Sequence, residues 1–289
     1  MIEASTIDLH THSTISDGTD TPAELLVQVR KAGIKLFALT DHDSVKGYGM
    51  IRKIRKADDP EILAGVEFSC KDEEGKYHIL GYRFDPDSPS IRDLIAKTHG
   101  LRMRKAVLRL ESLRDMFGFT FAEEDTQRLL ALDNPGKPHI GNLMVKYGYA
   151  LTKEQAISEY LNRIRIPNEF IRPEETIRGI LEGGGIPVLA HAPFGSGDEL
   201  IMGDELEQRI RKLIGFGLQG VEAFYSGFSP KLQAGMLSLA EKFGLYVTAG
   251  SDYHGKNKLV LLGDTDLCDA DAWPTGLRRF LNDTGYGNI

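Results

Sequence analysis

The segment STIDLHTHSTISDGTDTPAELLVQVRKAGIKLFALTDHD (residues 5–43) holds the unit from which the rest of the chain can be read. Two short apolar runs, STIDLH (5–10) and KLFALTD (35–41), flank the stretch TPAELLVQVRKAG. That middle piece carries helix punctuation. Thr21 stands at the N-cap, Pro22 at the first helical position, where its missing N–H costs nothing, and Gly33 at the stop. Strand, helix, strand in this order predicts parallel strands joined by a helical crossover. His10 and His12 lie two apart, so an extended backbone presents both on one face. With Asp17 following in a Ser/Gly/Thr-rich turn, they point to a cation held between them.

Working outward, the apolar runs recur as EILAGVEF (61–68), YHILGY (77–82), IPVLAH (186–191), QGVEAF (219–224) and LYVTAG (245–250). Seven candidate strands suit a closed or nearly closed α/β barrel, with a doubly wound sheet as the alternative. The rhythm breaks between about Ser90 and Pro167, where helix formers dominate and no strand pattern is seen. There Met103, Val107, Leu110 and Phe117 form an apolar stripe at helical spacing, with Arg102, Lys105 and Arg109 on a neighbouring face. The expected organisation is a barrel from residues 1–90 and 168–289, with a helical insertion, a cap, over 91–167. The chain has no internal repeat and no low-complexity segment.

At 289 residues, 41% hydrophobic and 27% charged, the composition is that of an ordinary globular protein. The formal charge of −7 argues against tracking long duplex nucleic acid, which needs a concentrated basic surface. It leaves room for a small phosphorylated substrate, because bound divalent ions invert the local field. Cys70 and Cys268 are far apart and form no CxxC pair, which argues against a disulfide framework or a cysteine-rich zinc site and is compatible with a reducing cytosol. The opening MIEASTIDLH has no basic region before an apolar run, and no stretch reaches the length of a membrane span. A soluble cytoplasmic protein with no membrane partner is expected. Oligomeric state, and whether Trp273 and the C-terminal LRRFLNDTGYGNI pack on the barrel or on a second subunit, have no signature in the spacing.

The strand ends concentrate metal-ligating side chains. His10 and His12 close the first run, Asp41 and His42 the second, Glu67 sits near the end of the third, and His191 closes the fifth. SDYHG follows the seventh, so Asp252 and His254 repeat the two-apart spacing, and His78 lies early in the fourth. The C-terminal strand ends of a parallel barrel converge on one face, where active sites are built. A single strand histidine is more often a hydrogen-bonded structural residue, an aspartate in SDGT serves turn chemistry, and Glu67 alone could be a half-buried strand acid. Jointly those readings fail, since burying so many ionisable groups together without a cation is costly. Nine nitrogen and oxygen donors, with one bridging carboxylate, suffice for two to three divalent ions; mixed His and carboxylate ligation suits Mn, Zn or Fe, with Mg also considered.

HTHSTISDGT, LTDHD, GVEFS, LAH and GSDYHG, in this order, resemble the PHP (polymerase and histidinol phosphatase) superfamily, and most closely its stand-alone phosphoesterase branch, which includes nucleotide phosphatases. The likeness covers about residues 1–90 and 170–289. It implies a distorted (β/α)7 barrel with a trinuclear site. It further implies that His10, His12, Glu67 and Asp252 hold one metal, Asp17, His42 and His254 a second, and His78, His191 and the bridging Glu67 a third. Asp17 is characteristic of the nucleotide-phosphatase branch, where histidinol-phosphate phosphatases tend to have His. Asp41 is expected to orient a ligand from behind. GKPHIGNLMVKYGY resembles a family segment usually written with Arg where this chain has Lys137. Relatives close this insertion over substrate, so Arg102, Lys137 and His139 are candidate phosphate or nucleotide contacts, with solvated charges and a helix-capping histidine as the structural alternatives. LAHAP departs from the commoner AHP, which leaves His191 in place but bears on the turn after it.

The expected activity is hydrolysis of nucleotide phosphomonoesters, of the adenosine monophosphate or 3′,5′-bisphosphate type and extending to short 5′-phosphorylated RNA. The expected nucleophile is a metal-bound hydroxide, since no Ser or Cys nucleophile motif is present. The alternatives are histidinol-phosphate or another metabolite phosphatase, an amidohydrolase-like metal hydrolase, and a non-catalytic metal-binding module. Glu67 and the Asp252–His254 pair fit the phosphoesterase pattern better than the amidohydrolase one. The presence of every ligand position argues against the module.

Overall fold

The computed structural model describes residues 6–167, 169–195, 200–267 and 272–289. Cys268 therefore lies outside the described residues, while Cys70 is a buried free thiol. Residues 7–39 form the expected unit: β1 (Ile7–Thr11), α1 (Pro22–Lys31) and β2 (Leu36–Leu39), with Ile7 opposite Leu36 in a parallel register. At the start of α1, the Thr21 side chain accepts from Glu24 N–H while the Glu24 carboxylate accepts from Thr21 N–H, a capping box that satisfies two otherwise orphaned donors. Leu25, Leu26 and Val29 are buried with Phe37, Leu39 and Ile51, the last from α2 (Lys46–Ile54). All five residues of β1 and all four of β2 are buried, as strands covered on both faces must be.

The alternation continues through β3 (Glu61–Lys71) and β4 (Lys76–Tyr82). The next elements are α3 (Pro89–Phe117), α4 (Glu123–Leu130), α5 (Lys137–Lys146) and α6 (Lys153–Gln155), whose helix runs on as a π-helical turn, Ala156–Leu161. Then come α7 (Pro173–Glu182), β5 (Ile186–Leu189), α8 (Gly203–Gly215), β6 (Gly220–Tyr225), α9 (Pro230–Phe243), β7 (Tyr246–Gly250) and α10 (Thr275–Thr284). The strands form one seven-stranded sheet in sequential order β1 to β7. Its edges meet where Thr11 bridges Tyr253 in parallel, with His12 N–H donating to Tyr253 O (2.8 Å) and Asp252 N–H to His10 O (2.8 Å). The architecture is a distorted (β/α)7-like barrel, nearly closed.

One strand departs from the parallel expectation. β4 runs antiparallel to both β3 and β5, because only residues 72–75 separate it from β3, too few for a helical crossover. The reversal matters for chemistry. It brings the start of β4, and not its end, to the rim where the other strands finish.

The chain divides into two compact units, residues 1–95 with 171–289, and residues 96–170. The second is packed around Ala106, Leu110, Leu113, Leu129, Ile140, Met144 and Leu161. The buried stripe of α3 here is Ala106, Leu110 and Leu113; Val107, expected in it, is 37% exposed because it lies about one helical step (100°) off that line. In the first unit, α10 settles the C-terminus: Phe280 is buried edge-on against Tyr82 and Tyr246, so this helix packs on the barrel. No helix among the described residues is long and apolar enough to cross a membrane.

Asp8, fully buried in β1, fastens the barrel seam. It accepts from Ser251 N–H (2.9 Å), Ser251 Oγ–H (2.6 Å) and Gly263 N–H (2.8 Å). Burial pushes its pKa up to about 6, with the Ser251 hydroxyl and these amides pulling the other way. Asp8→Ala would strand several buried donors at once. Urea denaturation is expected to show a loss of about 2–4 kcal/mol, at unchanged secondary structure; a loss below about 0.5 kcal/mol would show that the seam does not depend on it.

Candidate metal centre

The barrel rim assembles the sequence-predicted ligands from separate elements. His10 ends the inward face of β1 and His12 follows one residue after it; His42 follows β2, Glu67 lies within β3, and His191 follows β5. Asp252 and His254 follow β7, and Asp17 comes from the turn after β1. His78 joins them because antiparallel β4 starts at this rim, with Ser69 opposite His78. All nine positions lie in the first unit and face one another.

Glu67 is the hub. Its Oε2 is 3.2 Å from His10 Nε2, 3.1 Å from His12 Nε2 and 3.2 Å from His42 Nδ1. Its Oε1 is 2.9 Å from His78 Nδ1 and 3.2 Å from His191 Nε2. Asp252 Oδ1 stands 3.5 and 3.4 Å from the Nε2 atoms of His10 and His12 and 3.3 Å from His254 Nδ1. Asp17 Oδ1 is 3.2 Å from His254 Nε2, and its Oδ2 is 3.8 Å from His42 Nε2. Among the described residues, three sets place ligand atoms within 4.8 Å of one another: His12, Asp17, His42 and His254; His10, His12 and Glu67; and His42, Glu67 and His78. His12 and His42 are thus each shared between two sets, where the family resemblance would give each to one ion. His191 Nε2 sits 3.2 Å from both His78 Nδ1 and Glu67 Oε1.

Behind these side chains is a shell that aims them. Glu222, fully buried in β6, lies 2.9 Å from His10 Nδ1 and accepts the backbone N–H of His191 at 2.9 Å, so one carboxylate sets both residues. Asp41 accepts from Ser13 N–H, Ser13 Oγ–H and Ser16 Oγ–H, each at 2.8 Å, and so holds the turn that follows His12. His254 Nδ1 lies 2.8 Å from Asp252 O, leaving Nε2 toward Asp17. A Cβ on Gly250 would stand 2.2 Å from His10 Cβ and 2.7 Å from Glu222 Oε1, which explains the glycine at the end of β7. Asp43 (φ 53°), His191 (φ 26°) and Asp252 (φ 58°) adopt positive φ, a backbone conformation that costs about 1–3 kcal/mol for a non-glycine residue and clusters at functional sites.

The charges demand compensation. Burial works against ionising Glu67, yet His42, His78 and His10 hold it well below the usual carboxylate range. Burial likewise opposes protonation of His12, but Asp252 and Glu67 outweigh it and raise its pKa to about 9. His10 is pushed up too, against its burial, by Glu222 and Glu67, whereas burial drives His42 down to about 3. Protons on His10 and His12 thus offset part of the negative charge of this pocket. The donor set fits divalent metal. His10 Nε2 and His12 Nε2 are buried without a hydrogen bond of proper alignment, although Glu67 and Asp252 are close, so on losing their protons both would direct lone pairs to a common space. Ions bound there would supply Lewis acidity, lowering the pKa of water and neutralising phosphoryl charge.

The residues expected in the insertion lie in the second unit. Lys137 Nζ donates to Asn162 Oδ1 (2.6 Å), and His139 Nδ1 accepts from Gly136 N–H (3.2 Å), capping the start of α5. Arg102 and Arg109 are near enough on α3 for burial and the Arg102 charge together to lower the Arg109 pKa. Sequence reasoning missed Glu222 and Asp8. A signal for the first existed: GVE occurs both at Glu67 and at Glu222, each time an acid within an apolar strand.

Two outcomes follow from this arrangement. Glu222→Gln is expected to weaken metal binding about 10- to 100-fold in chelator competition, because an amide oxygen can accept from only one of the His10 ring and the His191 backbone. Metal loading is expected to release protons. His10 and His12 are protonated at neutral pH in the metal-free protein and must be stripped to ligate, so affinity rises from pH 6 toward pH 9. Calorimetry in buffers of differing ionisation heat reads this directly; a pH-independent affinity would contradict it.

Comparison with known proteins agrees with the geometry. The PHP domain profile matches residues 8–170. The phosphoribosyl 1,2-cyclic phosphate 1,2-diphosphodiesterase of Eggerthella lenta is 30% identical over 263 residues, covering 86% of this chain and 94% of that protein. A 5′-3′ exoribonuclease of Haemophilus influenzae is 29% identical over 273 residues (91% and 95%), and a 3′,5′-nucleoside bisphosphate phosphatase of Chromobacterium violaceum 28% over 255 residues (86% and 87%). A crystal structure from Bifidobacterium adolescentis, described as a candidate metal-dependent phosphoesterase, superposes with a TM-score of 0.79 at 29% identity, over 96% of this chain and 95% of its own. A sequential seven-stranded barrel with histidines and carboxylates gathered at its rim, matched along most of its length by these proteins, makes the chain a member of the PHP domain family and a metal-dependent hydrolase of phosphoesterase fold.

Proposed function

We propose that the protein is a nucleotide phosphoesterase that removes phosphate from nucleoside monophosphates or 3′,5′-bisphosphates, and from the 5′ end of short RNA. The observation that carries the reading is the Glu67 hub: one buried carboxylate contacts five imidazoles, with Asp17 and Asp252 on its flanks. Such a set can hold adjacent divalent ions, two or three in this reading, through His10, His12, Asp17, His42, Glu67, His78, His191, Asp252 and His254. A site of that charge suits a dianionic phosphate better than a neutral amide. Manganese is the first ion to test. The curated relatives act, by their names, on a phosphoribosyl cyclic phosphate, on RNA and on a nucleoside bisphosphate, which favours a ribose-borne phosphate as substrate class.

Within the chain, the roles divide by position. The imidazoles and the three carboxylates bind, while Glu222, Asp41 and Asp8 keep them oriented. Asp17 is the most exposed of the carboxylates, its side chain 42% accessible, and marks the open side from which substrate arrives.

The test is inorganic phosphate release with Mn²⁺ from adenosine 5′-monophosphate, adenosine 3′,5′-bisphosphate, histidinol phosphate and a 5′-phosphorylated trinucleotide. At least one nucleotide is expected to turn over, and His12→Ala to lower kcat/KM about 100-fold or more, since a ligand contributes at least as much as its outer-shell support. Turnover of histidinol phosphate alone, or of none by metal-loaded protein, would overturn the nucleotide reading.

A further inference from the structure

The two oxygens of Asp252 keep different company. Oδ1 faces the imidazoles of His10, His12 and His254 at 3.3–3.5 Å. Oδ2 accepts instead from Tyr225 O–H (3.0 Å) and from the ammonium of Lys258. Lys258 follows the short turn Gly255–Asn257, and that turn is tied to the segment carrying Asp17. Lys256 N–H donates to Thr19 Oγ1 (2.9 Å) and Asn257 Nδ2–H to Asp17 O (2.7 Å). Gly255 has φ +62°, and a Cβ there would stand 2.1 Å from Thr19 Oγ1, so only glycine lets the two segments close. The lysine is therefore set against the cluster by a turn tied down immediately before it.

Its placement exceeds what holding Asp252 requires. Tyr225 O–H already supplies a donor to Oδ2. The ammonium has three N–H donors, the Asp252 contact occupies one, and the side chain is 40% exposed. A cation so placed, beside a ligand carboxylate and open to solvent, meets any anion that reaches the ions. We propose that Lys258 is a substrate-binding residue that anchors the phosphate: its ammonium donates to a non-bridging phosphoryl oxygen while Asp252 and Tyr225 hold it in register. This rests on the phosphoesterase reading above and adds to it a residue that acts on the phosphate and not on the base or sugar. Lysine acts here as a point charge, so arginine should replace it in part.

Lys258→Met and Lys258→Arg test this in the full-length, Mn²⁺-loaded protein, with inorganic phosphate as the probe. Elemental analysis is expected to give wild-type metal content for both variants. Calorimetry should show phosphate bound about 10- to 100-fold more weakly by Lys258→Met, the loss of one charged hydrogen bond, and largely restored in Lys258→Arg. KM for whichever ester the wild type hydrolyses should rise more than kcat falls. Unchanged phosphate affinity at equal metal content would overturn the anchor and leave the phosphoesterase reading standing. Loss of metal from Lys258→Met would also overturn it, by making Lys258 a support for Asp252 alone. Wild-type protein that carries metal, yet neither binds phosphate nor hydrolyses any ester, would sink both.

Discussion

A buried carboxylate shared by five imidazoles is the constraint on which this barrel is organised. Glu67 is 1% exposed, far from the water that would normally stabilise its charge, and it remains ionised only because cationic partners surround it. Without metal the protons on His10 and His12 supply part of that charge; with metal the ions would supply it. Either way the surrounding strands must deliver side chains to within about an ångström, since an unmatched charge at this depth is among the most destabilising features a core can contain. Closure of the barrel and tight backing of the rim follow from that demand.

The fold meets it in three ways. The antiparallel β4 turns a residue from the beginning of a strand into a rim residue, so that His78 stands beside His191 and Glu67. Carboxylates at a second remove, Glu222 and Asp41, fix rings and turns that the ligands alone could not hold. Strain is accepted where direction matters: His191 and Asp252, both with positive φ, leave their strands at angles that an extended backbone does not allow. The Asp8 contacts to Ser251 and Gly263 keep the two ends of the sheet together, and with them the segments bearing His10 and Asp252.

The same geometry suggests how the site is divided. Oδ1 of Asp252 belongs to the metal-binding interior, while its Oδ2, with Lys258 and Tyr225, belongs to the solvent edge.

Much was legible in the linear chain. The strand positions, the capping box of α1 and the gathering of histidines at strand ends follow from local chemistry: periodicity of apolar residues, Pro and Gly punctuation, and the two-apart spacing of HTH and DYH. The candidate ligands were therefore readable as a set because each donor sits in a local motif. What local pattern could not carry was direction and partnership. Whether β4 runs up or down depends on a four-residue connection and on pairing with β5, far away in sequence. That His12 and His42 stand between neighbouring sets, that Val107 faces out, and that Glu222 and Lys258 attend the centre are results of packing. The GVE pattern marks Glu222 as an acid within an apolar strand but does not name its partner; it acquires a role only when the barrel brings it to His10, some two hundred positions away.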